Sequence, residues 1–153
     1  MRSLVTIQES EQQIMTAYEV HTGRPADVTL WTPVLDRHQA LFGRAPDLAA
    51  GVRGFSSAAN EQAGTDRGVR RVVLPRRGPK SARRRAYERQ AWFRRGQLWR
   101  VGREGRISVI KRRHGFRRCR DHGVDGMHRW VGLGVIADNL ISMATVLARR
   151  AAA

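Results

Sequence analysis

Two short runs near the N-terminus alternate apolar and polar residues, and this pattern limits the chain to folds that contain a sheet. Residues 3–9 read Ser-Leu-Val-Thr-Ile-Gln-Glu, and residues 14–21 read Ile-Met-Thr-Ala-Tyr-Glu-Val-His. Alternation with frequent β-branched residues places successive side chains on opposite faces of a strand. The polar link at 10–13 suits a hairpin, and Gly23 and Pro25 end the second strand. Beyond them the period becomes helical. Asp27 is predicted to cap a helix over 29–42, with Leu30, Val34, Leu35, Leu41 and Phe42 offered to a core. Turn residues at 43–46 stop it. A short buried strand is expected at 47–53, then a helix over 57–65 capped by Ser56 or Ser57, then a strand at 69–74. Residues 75–85 read as a basic, breaker-rich loop. A long helix is predicted over 82–113, with Gly96 and Gly102 as its points of interruption, and Gly115 ends it. Asp125 or Gly126 opens a final helix over 127–149. The order β-β-α-β-α-β-α-α is a mixed α/β pattern, and 153 residues suffice for one domain with a core.

Charge is distributed unevenly along this pattern. The chain carries a formal +16, and 22 of its 29 basic residues lie in 67–129. That window holds only Glu88, Glu104, Asp121 and Asp125 as acids, so it carries +18 while the remainder is about −2. A cationic field of this size favours a polyanion, with DNA or RNA as the default partner. The alternative is a solvated basic linker. Arg112, Arg113, Arg117, Arg118 and Arg120 read as a track for phosphates.

Within the basic window, Arg100, Glu104 and Lys111 are spaced four and seven residues apart, which puts them on one helical face. A carboxylate among arginines can hold a hard divalent ion beside phosphate-binding groups. It can equally form ion pairs with Arg100, Arg103 and Arg106 on a solvated helix. Trp92, Phe93 and Trp99 suit core packing better than base stacking. Cys119 is the single cysteine, which rules out a disulfide framework, and His114, His122 and His128 lack zinc spacing with it. The N-terminus has no signal-peptide pattern. Residues 130–148 are apolar enough to raise a membrane span, but Asp138 and Asn139 sit at their middle, where charge is costly in lipid. A buried amphipathic helix, no membrane and a cytoplasmic location are expected. Asp138 and Asn139 are read as satisfying a buried polar contact, and Gly132 and Gly134 as permitting close approach to the helix.

The C-terminal half resembles the end of bacterial insertion-sequence transposases of the DDE type. The signature of that family reads Tyr, two residues, Arg, three residues, Glu, six residues, Lys. Arg100, Glu104 and Lys111 hold its last three places, while Gln97 stands at the Tyr position. Segments beginning at Trp99, Lys111 and Trp130 are similar to the same family, as are 33–38 and 42–46 upstream. The resemblance implies an RNase H-like mixed sheet, Mg²⁺-dependent cleavage and joining of transposon-end DNA, and three catalytic acids. The third acid maps to Glu104, as catalytic residue and metal ligand. Arg100, Arg103, Arg106, Lys111, Arg112, Arg113, Arg117 and Arg118 would bind DNA. The second acid belongs in a context like Ala-Gly-Asp-Arg-Gly-Phe, but the chain reads Ala50-Gly-Val-Arg-Gly-Phe55, so Val52 stands in its place. The hairpin at 3–21 is similar to the second and third strands of the fold, which implies that the first strand, with the first acid, is missing.

On this resemblance, residues 1–150 are a partial catalytic domain, strand-rich over 3–81 and basic and helical over 82–150. Metal would be held poorly unless Glu9, Glu11, Glu19 or Asp47 substituted, because relocated ligands rarely keep the required geometry. The implied state is truncated and inactive in strand transfer. Two other readings remain open. The chain could be a non-catalytic nucleic-acid-binding protein that forms a homo-oligomer or joins an intact transposase, or a remnant that does not fold stably.

Overall fold

The computed structural model describes residues 3–115 and 119–152, with the backbone alone for Ser3 and 103–110. Its strands are β1 (Ser3–Glu9), β2 (Met15–Thr22), β3 (Leu48–Ala50) and β4 (Arg71–Val73). Its α-helices are α1 (Trp31–Phe42), α2 (Ala58–Asp66), α3 (Ala82–Arg89), α4 (Ala91–Arg113) and α5 (Gly123–Ala151). The mixed α/β class follows. A single mixed sheet does not form among the described residues. β1 and β2 make an antiparallel pair, β3 and β4 make a parallel pair, and no ladder joins the two. The chain divides into two compact units, Met1–Arg24 with Arg106–Ala153, and Pro25–Gly105. The strand-rich span 3–81 is thus shared between both.

In the first unit, alternation on the hairpin builds a face for α5. Val5 pairs with Val20 and Ile7 with Tyr18 across the ladder. Met15, Val20, Val131 and Val135 form the buried cluster, with Val5, Ile7, Tyr18 and Met127 against it. Asn139 fixes the register of helix on hairpin. Its Oδ1 accepts from the Met15 N–H at 2.8 Å, and its Nδ2 donates to the Met15 carbonyl at 2.9 Å. Gly132 permits the approach, because a Cβ there would lie 2.6 Å from the Tyr18 hydroxyl oxygen. That hydroxyl donates to the His128 carbonyl at 3.1 Å. Asp138 is buried and faces His114 Nε2 at 3.4 Å. The expected polar contact at 138–139 is therefore present. α5 is buried on one face only, and by length and composition it is a helix that could cross a membrane. It begins at Gly123 after His122, ahead of the expected opening at Asp125 or Gly126, and a Cβ at Gly126 would lie 2.7 Å from the Asp121 Cβ.

In the second unit, β3 and β4 run parallel with α2 as their crossover, the connection that parallel strands require. Trp31, Leu35, Val69, Val72 and Leu74 form the core. Trp31 Nε1 donates to the Asn60 carbonyl at 2.9 Å. Buried Asn60 in turn donates through Nδ2 to the carbonyls of Val28 and Phe55, each at 2.8 Å. Ser57 caps α2 by accepting from the Asn60 N–H at 3.0 Å. Leu30 and Leu35 are buried as expected, but Leu41 and Phe42 are exposed, since the last turn of α1 extends past the core. Asp27 does not cap α1. It opens a 3₁₀ turn, Asp27–Leu30, and its carboxylate lies against Gly54. The helix expected over 82–113 is broken at Gln90, which is extended at φ −57°, ψ 140°, whereas Gly96 and Gly102 are helical. The break lets Tyr87, Trp92 and Phe93 meet edge to face at 5.4–5.5 Å, with Phe93 fully buried. Gly96 then lies on Val73, where a Cβ would come within 2.8 Å of a methyl group.

Candidate functional site

Strand β3 ends at Ala50, and the next residues open a cavity at its carboxyl end, a usual place for a ligand in parallel sheets. Gly51 continues the ladder through its N–H to the Val73 carbonyl at 3.1 Å. A Cβ at Gly51 would sit 2.6 Å from Phe55 and 2.8 Å from Leu74, so the core demands glycine there. Val52 is extended, at φ −68°, ψ 160°, and its carbonyl accepts from the Phe55 N–H at 3.0 Å, closing the 3₁₀ turn Arg53–Phe55. Phe55 stacks at a tilt on Trp31, 5.8 Å between rings. These contacts hold Val52 at the rim of an open cavity of about 330 Å³ lined by Asp27, Val52, Arg53, Gly54, Arg77 and Arg100. Position 52 and Arg100 therefore share one cavity, although 48 residues of sequence separate them.

Three guanidinium groups and one carboxylate make this cavity cationic. A hard divalent ion requires several oxygen ligands, and valine supplies none. Among the described residues no three His, Cys, Asp or Glu side chains gather in a metal-binding group. Those residues do not fit Mg²⁺. Asp27 was not foreseen here, because its place before a helical run reads as a cap. Asp47 pairs instead with Arg70 at 3.5 Å.

Arg100 is half-buried on α4. Arg103, Glu104 and Arg106 follow on the same helix, but their side chains lie outside the described residues. Lys111, Arg112 and Arg113 are exposed in its last turn. Arg117 and Arg118 lie outside the described residues altogether.

Not all of the basic window is free to bind. Arg84 is locked in a half-buried network, donating to Glu61 at 2.6 and 2.9 Å, to Glu88 at 2.8 Å and to the Leu74 carbonyl at 2.7 Å. Lys80 pairs with Glu88 as well. Burial works to raise the Glu88 carboxyl pKa, but Lys80, the Arg76 N–H and Arg84 outweigh it and hold it below its ordinary value. These basic groups tie α3 to α2 and to the end of β4, a structural role that composition alone does not separate from phosphate binding.

No curated protein and no solved structure matches the chain. A family model, the transposase DDE domain, matches residues 60–144, more than half of its length. That span includes Arg100, Glu104, Lys111, Arg112 and Arg113, while Val52 and the upstream segments precede it. The chain belongs to the transposase DDE domain family.

Proposed function

We propose that the chain is a DNA-binding member of the insertion-sequence transposases that does not perform strand transfer. On this reading residues 1–150 form part of an RNase H-like catalytic domain, strand-rich over 3–81 and basic over 82–150, acting on transposon-end DNA in the cytoplasm. The observation that carries the proposal is Val52 in the cavity shared with Arg100. Where the family places an acid, this chain has an aliphatic side chain among arginines. Phosphoryl transfer of this kind rests on metal ions positioned by carboxylates. Glu104 is the family acid that the motif with Arg100 and Lys111 retains. Arg100, Arg103, Arg106, Lys111, Arg112, Arg113, Arg117 and Arg118 would engage the phosphate backbone, which positions DNA without reading its sequence.

The test combines a binding and a cleavage assay on nuclease-free protein. DNA is expected to shift on a gel with affinity falling steeply as salt rises. Supercoiled plasmid is expected to stay intact with Mg²⁺ or Mn²⁺, both for the natural chain and for Val52→Asp, which adds one carboxylate to a site that needs more. Metal-dependent nicking by the natural chain would overturn the inactive reading. Absence of DNA binding would overturn the whole proposal.

A further inference from the structure

The cavity that does not fit Mg²⁺ has the opposite chemistry, and its position follows from the parallel pair. Because β3 and β4 run in the same direction, the segments that follow them emerge at one edge. Arg53 lies three residues past the end of β3, and Arg77 lies four past the end of β4. Ligands of open α/β sheets collect at this carboxyl edge. Arg100 on α4 completes the cationic lining, and all six lining residues belong to the unit Pro25–Gly105.

Both segments are fixed by contacts that do not use the two arginines. After β3, Phe55 lies on Trp31 and closes the turn on the Val52 carbonyl. After β4, Leu74 and Pro75 are buried, and the Arg76 N–H donates to Glu88 Oε1 at 3.0 Å. Glu88 also holds Lys80, so it pins the loop on both sides of Arg77. Other arginines of this unit are taken up within the fold, Arg84 by Glu61 and Glu88, Arg67 by Asp36 and Arg70 by Asp47. Among the described residues, the side chains of Arg53 and Arg77 enter no hydrogen bond or ion pair, and both are exposed. The Asp27 carboxylate packs on Gly54 and forms no ion pair with either.

Three guanidinium charges against one carboxylate leave +2 in a cavity of about 330 Å³. That charge repels a divalent cation. It matches a phosphate monoester, which carries close to two negative charges at neutral pH and whose oxygens suit the planar guanidinium fork. A phosphodiester carries only one. The volume exceeds that of a phosphate group and leaves room for the sugar attached to it. We propose that the cavity binds a dianionic phosphate group directly, without metal, between Arg53, Arg77 and Arg100. Val52 permits this, because a carboxylate in its place would repel the anion. The inference rests on the reading of the cavity as one without a metal centre.

The test is calorimetric titration of the full chain with inorganic phosphate at about pH 8, where phosphate is dianionic. The chain is freed of nucleic acid and held in EDTA at fixed chloride. One saturable site is expected. Arg53→Ala and Arg77→Ala should each weaken it by about tenfold, with the thermal melt in place because both side chains are exposed. Val52→Asp should weaken it too, and Asp27→Asn should strengthen it. Arg94→Ala with Arg95→Ala removes two exposed charges outside the cavity and should leave it unchanged. A DNA strand with a 5′-phosphate, compared with the same strand ending in a hydroxyl, identifies the source. Tighter binding of the phosphorylated strand, lost in Arg53→Ala, assigns a strand end, whereas equal binding of the two strands assigns free phosphate. Absence of saturation in a chain that still shifts DNA overturns this inference alone and leaves the DNA-binding reading standing. An equal loss in the Arg94 and Arg95 variant overturns it as well. So does tighter phosphate binding by Val52→Asp when Mg²⁺ replaces EDTA, which would make the cavity a metal site. Metal-dependent nicking by the natural chain strikes the inactive reading, and this inference with it.

Discussion

Gly51 and Val52 are neighbours with opposite constraints. Gly51 is enclosed by Phe55, Leu74 and Trp31, and a methyl group there has no room. Val52 points at the rim of a cavity and is held by backbone bonds that do not depend on its side chain. Gly51→Ala should cost about 1–3 kcal/mol through overpacking, measured by urea unfolding. Val52→Asp should leave the midpoint close to that of the natural chain. If both changes cost the same, the division between scaffold and site at this turn is wrong. Asn139 offers a second test, since it pairs both backbone groups of Met15. Asn139→Ala would strand a donor and an acceptor, and a loss of about 1–3 kcal/mol is expected in the same experiment.

At the scale of elements, β1, β2, β4, α1 and α2 lie within a residue or two of where alternation and period place them, while β3 ends at Ala50, short of the expected 53, and α5 starts at Gly123, ahead of the expected 127. Ser57 caps α2 as its sequence context suggests, and Ser57→Ala should cost about 1 kcal/mol. Other departures share a cause. The break at Gln90 follows from three aromatic rings meeting across the turn, and the helical pattern of 82–113 holds no sign of that contact. Leu41 and Phe42 continue the apolar stripe of α1, but the core does not reach them. Trp31, the largest side chain of that core, sits at the start of α1, where the apolar stripe gives it no special weight. The network at Glu88 makes a pH prediction. Its pKa is lowered from 4.5 in the folded chain, so its stabilising contribution is complete above 4.5 and is lost as pH falls through the folded value. Urea midpoints of the natural chain and of Glu88→Gln should therefore differ at pH 7 and converge in acid. A constant difference down to pH 2 would mean that the network does not act through charge.

For the whole molecule, the +16 charge governs behaviour towards polyanions. Replacing exposed Arg112 and Arg113 with Ala should lower affinity similarly for unrelated DNA sequences and reduce the salt slope by about 2, one unit per phosphate contact. Arg84→Ala should instead act first on the unfolding midpoint, because its guanidinium is already engaged by protein groups. A protein in which both changes altered only binding would contradict the structural role of Arg84. Periodicity, turn residues and charge are local properties, so the succession of elements, the cationic window and the spacing of Arg100, Glu104 and Lys111 can be read along the chain. So can Val52 at the place where the resemblance expects an acid, because a short motif keeps its order whatever the fold does. Which strands pair, which arginines are consumed by ion pairs and which carboxylate joins Arg100 depend on contacts between distant residues. Asp27, Val52 and Arg100 become neighbours only when the turn after β3 packs on Trp31 through Phe55 and α4 packs on Val73 through Gly96, since burial and hydrogen bonding are satisfied by the assembled core and not by any one segment.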